Sequence, residues 1–147
     1  MFNDFEQKNR SRAIEVTNIA IDKIPRTHLF GFTNEKNLFI QHLHKCLLSR
    51  VKELNTFYKI NRMEVGVLLD IHSWEYWVID GSKPCEVLMR DNLEALQKME
   101  TARKYQLMFM HNHPSTGTFS GEDLKTFCNT ESLYIMSVVG NDGSIYI

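Results

Sequence analysis

The chain has 147 residues, of which 43% are apolar and 24% charged, and its formal net charge is −1. That balance fits one ordinary folded domain and excludes disordered and collagen-like chains, and at this length roughly 68–70% of the unfolded surface can be buried without covalent staples. The charge is uneven: residues 1–62 hold 11 Lys/Arg against 6 Asp/Glu, and residues 63–147 hold 6 against 12.

Residues 11–24 place Ala13, Val16, Ala20 and Ile24 at helical spacing, and Pro25 is suited to end that helix. From Asn34, read as an N-cap, Phe39, Leu43, Cys46, Leu47, Val51, Leu54 and Phe57/Tyr58 recur at three- and four-residue steps between charged residues. That pattern predicts a long amphipathic helix. It changes at Met63: residues 64–71 and 74–79 are short β-branched and aromatic runs separated by His72-Ser73, which predicts a hairpin. Asp80-Gly81 marks a turn, and residues 85–89 read as a third strand. Asp91 with Glu94 resembles a capping box that opens a helix lined by Leu93, Leu96, Met99 and Ala102. Residues 105–110 read as a buried strand that stops at His111, where a loop rich in Pro, Ser, Thr and Gly begins. Residues 120–128 predict a short helix, and residues 133–139 and 145–147 flank a turn at Asn141-Asp142-Gly143. The whole reads as a single α/β domain of α+β type over residues 1–147, with a helical first part to residue 62 and a sheet-bearing remainder. Closing on Ile145-Tyr146-Ile147, in strand pattern, is consistent with a fragment of a longer chain.

Cys46, Cys85 and Cys128 are odd in number and form no Cys-x-x-Cys pair, which argues for reduced thiols and a cytoplasmic location and against a zinc ribbon. No stretch approaches the ~18–20 apolar residues of a membrane span, and residues 1–10 are too polar for a signal peptide. His42 and His44, two apart in a predicted helix, point about 200° apart and cannot share a metal there. Trp74 and Trp77, three apart in a predicted strand, face opposite sides.

The informative stretch runs from His111 to Asp123. Histidines at i and i+2 in extended backbone project to the same side, so His111 and His113 can converge on one ion. Asp123 opens a predicted helix ten residues later, and the turn-rich loop between can fold its carboxylate back to them. Two imidazole nitrogens and one carboxylate oxygen suit zinc and leave a fourth tetrahedral position for water, as in a catalytic site.

His111-Asn112-His113-Pro114, preceded by an apolar strand and followed by Ser120-x-x-Asp123, resembles the signature of the JAMM (MPN+/JAB) metalloprotease family, which includes ubiquitin isopeptidases and bacterial RadC-like proteins. The wording is more similar to the RadC-like branch. The resemblance covers residues 63–140 and implies a JAMM/cytidine-deaminase-like curved mixed sheet flanked by helices. It implies one zinc ion on His111, His113 and Asp123, and a supporting role for Ser120 at the oxyanion. It also implies a catalytic glutamate at the start of the first strand, where Glu64-Val65-x-x-Leu68-Leu69-Asp70 fits and where Glu75 and Glu86 fit less well. A charged residue opening an apolar strand is expensive to bury without purpose, and a zinc-bound water needs a nearby base. The loop between His113 and Ser120 has six residues, one fewer than in many members.

The implied function is zinc-dependent hydrolysis of a peptide or isopeptide bond, with a peptide or protein substrate that could carry a ubiquitin-like or sulfur-carrier tail. Two alternatives are a non-catalytic MPN-type scaffold and a RadC-like DNA-associated protein. The second would use the basic first part through Lys52, Lys59 and Arg62.

Overall fold

Strand alternation organises the middle of the molecule. The computed structural model describes residues 12–116 and 118–147, so residues 1–11, with the polar opening stretch, lie outside the described residues. β1 (Val65–Asp70), β2 (Tyr76–Asp80), β3 (Leu107–His113), β4 (Leu133–Gly140) and β5 (Ile145–Tyr146) form one sheet in the order β2-β1-β3-β4-β5. Its β3–β4 pair is parallel and the other neighbours are antiparallel. The helices are α1 (Asn18–Asp22), α2 (Asn34–Tyr58), α3 (Leu93–Thr101) and α4 (Gly121–Asn129), with α4 making the crossover between the parallel strands.

The two faces of the sheet carry two cores. Val65, Val67 and Leu69 of β1 and Met108 and Met110 of β3 point to one face and pack under Ile40, Leu43, Leu47 and Val51 of α2. Leu68, Leu107 and Phe109 point to the other, against Ala95 of α3 and Phe127 of α4. A mixed sheet between helices, the expected α+β class, is the result. No helix among the described residues is long and apolar enough to cross a membrane.

Several local expectations change for reasons that lie far away in the chain. α1 spans five residues of the helix expected over residues 11–24. The chain ahead of it is extended because Ile14 donates its N–H to the Pro114 carbonyl (2.8 Å) and accepts from Asn141 Nδ2 (2.9 Å). Val16, Ala20 and Ile24 are still buried, so the apolar spacing marked core contacts and not helix length. Thr33, not Asn34, caps α2, its Oγ1 accepting from Lys36 N–H. Cys46, Phe57 and Tyr58 of the expected stripe are exposed, and Ile40, His44 and Leu48 are buried instead.

Residues 85–89 form no strand: Cys85 has φ +58°, outside the β region, and a lone bridge joins Lys83 to Glu86. Asn92 caps α3 through Ala95 N–H, while Asp91 accepts from Leu88 N–H and the Ser82 hydroxyl. Trp74 sits in the β1–β2 turn at φ +64° against Phe32 and Phe39, and Trp77 packs on the opposite face. β3 continues past the expected stop through His113.

Two buried polar side chains tie these elements together. Asp70, at the end of β1, accepts from His72 N–H (2.8 Å), Ser73 N–H (3.2 Å) and Gln106 Nε2 (2.8 Å) and pairs with Lys98 of α3 at 2.6 Å. Burial pushes its carboxyl up, but Lys98 and these donors together hold it below the usual carboxylate range. His44 of α2 is fully buried with Nε2 2.8 Å from Ser137 Oγ of β4, and burial lowers its imidazole from 6.5 to about 4.

Between those two values the unfolded chain takes up a proton that the folded His44 refuses, so stability falls as pH drops from about 6.5 towards 4. The full loss is about 3 kcal/mol. Urea titrations across this window are expected to show wild type losing about 3 kcal/mol more than His44→Gln between the two ends, with the variant less acid-sensitive. Parallel curves would show that His44 does not titrate in this way.

Candidate metal centre

The pleat of β3 aims His111 and His113 to the face that carries Phe109, two residues before His111. The Phe109 ring stacks on the His111 imidazole at 5.3 Å between centroids and 11° between planes. His111 Nδ1 is buried with no hydrogen-bond partner among the described residues, so this stack, and not a hydrogen bond through the second nitrogen, orients the ring. Gly66, paired with His111 across β1–β3, makes room for it: a Cβ there would lie 2.8 Å from the Phe109 ring.

Asp123 comes from the first turn of α4. Ser120 caps that helix, its Oγ accepting from Asp123 N–H (3.1 Å) while its own N–H donates to Asp123 Oδ2 (2.8 Å). The reciprocal cap turns the carboxylate back towards β3. Burial pushes the Asp123 carboxyl up, but His111, His113 and the Ser120 N–H outweigh it and hold the group well below its ordinary range. It is therefore a carboxylate, further favoured by the positive end of α4.

The donor atoms converge. His111 Nε2 and His113 Nε2 are 3.2 Å apart, and each is 3.1 Å from an Asp123 oxygen, His111 from Oδ1 and His113 from Oδ2. A tetrahedral zinc with bonds of about 2.0–2.1 Å requires donor separations of about 3.3 Å; the two imidazole nitrogens meet it, and one ligand atom from each of the three residues lies within 4.8 Å of the others. Two imidazole nitrogens and a carboxylate this close call for a cation or for protons shared between them. Among the described residues His111, His113 and Asp123 are the group of three so placed.

Glu64 lies just before β1 and is 3% exposed. Gly66 pairs with His111, so Glu64, two residues earlier, falls on the same face of the sheet as the histidines. Together with His111, Ser120 and Asp123 it lines a cavity of about 870 Å³. The opposite wall is the loop of residues 83–89, which supplies Val87, Leu88 and Met89, joined by Met136 from β4. Cys85 N–H donates to the Arg62 carbonyl at 2.6 Å, tying that loop to the chain entering Glu64.

Of the rival carboxylates, Glu75 is exposed in the hairpin turn, whereas Glu86 lines the cavity with Glu64. The sequence ranks Glu86 with Glu75 below Glu64, and the structure separates the two, because residues 85–89 form a cavity wall and not the expected strand. The stacking of Phe109 on His111 was not anticipated, although their period-two spacing places the two rings side by side. Lys52 and Lys59 meet at a small separate pocket beside Glu15, and Arg62 turns to Cys85 Sγ at 3.9 Å. His42 and His44 lie on different sides of α2, one exposed and one buried.

Compared with known proteins, the chain matches no family model, no curated protein and no solved structure.

Proposed function

We propose that this chain is a zinc-dependent hydrolase of amide bonds, a metallopeptidase or isopeptidase like the JAMM proteins its motif resembles. The observation that carries the reading is a buried carboxylate, Glu64, lining the same cavity as His111 and Asp123, two of the three convergent donors. His111, His113 and Asp123 would hold the ion. When bound, zinc supplies Lewis acidity, polarising a carbonyl and acidifying water.

The chain's own groups account for the rest. Glu64 accepts a proton on its carboxylate from the attacking water as the new C–O bond forms, and returns it to the nitrogen of the leaving amine as the C–N bond breaks. Ser120, whose Oγ accepts from the α4 backbone, has its O–H to donate to the carbonyl oxygen as charge builds there, a contact of very roughly 3 kcal/mol in other amide-cleaving sites. Val87, Leu88, Phe109 and Met136 give the cavity an apolar wall. The substrate is a peptide or protein chain, with a ubiquitin-like or sulfur-carrier tail among the forms to be assayed. Three unpaired thiols suit a reducing, cytoplasmic setting.

Elemental analysis of purified protein is expected to find about one zinc per chain, and His113→Ala and Asp123→Ala to abolish it while the fold persists. Stripping the metal with a chelator should stop peptide cleavage and zinc should restore it. A folded wild-type chain that takes up no zinc would end the proposal.

A further inference from the structure

Asn112 stands between the two histidines and points to the opposite face of β3, where it is fully buried. Its side-chain amide grips the chain on both sides of Glu64. Oδ1 accepts from Val65 N–H at 2.7 Å, and Nδ2 donates to the Met63 carbonyl at 3.2 Å and to Asn141 Oδ1 at 3.0 Å. These partners fix which way round the amide lies, since an N–H faces its oxygen and two acceptors face its nitrogen. On the other side, Gly81 N–H donates to the Glu64 carbonyl at 3.0 Å. The peptide joining Glu64 to Val65 is thus held at its N–H by Asn112 and at its C=O by Gly81, and the peptide before Glu64 is held at its C=O by Asn112.

The β1–β3 ladder reaches Gly66–His111, and beyond it the Asn112 amide takes the place a neighbouring strand's peptide would fill. With both flanking peptide planes fixed, the direction of the Glu64 Cα–Cβ bond is fixed too. We infer that Asn112 is the positioning residue for Glu64: it binds the backbone around the base and sets where the carboxylate stands relative to the donors of the adjacent His111 and His113. One residue of β3 therefore couples the placement of the base to that of the metal ligands. The inference rests on the hydrolase reading for its catalytic consequence but not for the geometry.

The test begins with metal-free protein. In Asn112→Ala, amide hydrogen exchange at Val65 and Gly81 is expected to accelerate roughly tenfold or more, while Val138 of β4 stays as protected as in wild type. In zinc-loaded protein the same variant should keep its zinc and its KM within about threefold and lose about 100-fold in kcat, the size of effect expected when a catalytic group moves by about an ångström. Asn112→Asp keeps the acceptor for Val65 N–H but turns an oxygen to the Met63 carbonyl and Asn141 Oδ1; combined with Asn141→Ala to relieve one of these, it should restore Val65 protection and at least about tenfold of the lost kcat. Asn141→Ala takes away another partner of the Asn112 amide yet leaves Met63 and Val65 held, so it should stay within about fivefold of wild-type kcat. Unchanged protection at Val65 in both Asn112 variants would overturn the inference, as would an Asn141→Ala loss equal to that of Asn112→Ala. Wild-type protein that cleaves no amide would defeat the hydrolase reading alone, leaving the clamp to be judged by exchange.

Discussion

Glu64→Gln is expected to keep about one zinc per chain and to lose 100- to 10,000-fold in turnover, the usual contribution of a positioned general base. Glutamine has the same shape and the same hydrogen-bonding reach, so the cavity and its three donors stay in place. What disappears is the ability to take a proton from water and hand it to the amine. The contrast with His113→Ala is informative: that variant is inactive because it is empty, whereas Glu64→Gln is inactive while loaded. Glu86→Gln supplies the control, since Glu86 shares the cavity from the loop wall. If Glu64→Gln retains full activity and Glu86→Gln does not, the base has been assigned to the wrong side of the cavity.

Asp70→Ala carries the largest expected effect on stability. The substitution removes four partners of one buried carboxylate and leaves Lys98, Gln106 and two turn N–H groups facing an apolar gap. Stranding groups of this kind costs about 3–5 kcal/mol, or roughly 10 °C in Tm for a chain of this size. Asp70→Asn should recover part of that, since one amide oxygen can still accept. The Asp70 carboxyl is held below its usual range, so its stabilisation is complete above the ordinary carboxylate range and is lost as pH falls below it. That window lies beneath the one assigned to His44, and the two losses are separable in an acid titration. Equal Tm values for wild type and Asp70→Ala would show that the turn closes without this anchor.

Legibility in the sequence followed the range of the forces involved. The α2 helix could be read from periodicity because its buried face spans six turns and every turn repeats the message. Its stripe was still misplaced at Cys46 and at Phe57 and Tyr58, because what lies above a helix is not written in the helix. The first helix was overextended because nothing near Ile14 announces that it will bond to Pro114 and Asn141. Residues 85–89 read as a strand because Val87, Leu88 and Met89 are apolar; they are apolar because they wall a cavity. The donor trio was legible because two histidines at strand spacing and a capping aspartate are local features, and local geometry governs them. Placing Glu64 beside them required the strand order, which no single segment encodes.

His111, His113 and Asp123 come from consecutive strand, loop and helix cap, whereas Glu64 precedes a strand much earlier in the chain and reaches their cavity only through the pairing of β1 with β3. Short loops close at small entropic cost and distant ones at greater cost, so the two halves of the centre differ in robustness. If the proposed hydrolase reading holds, gentle heating or denaturant is expected to displace Glu64 before the donor trio loosens, so that cleavage would be lost at a lower denaturant concentration than zinc.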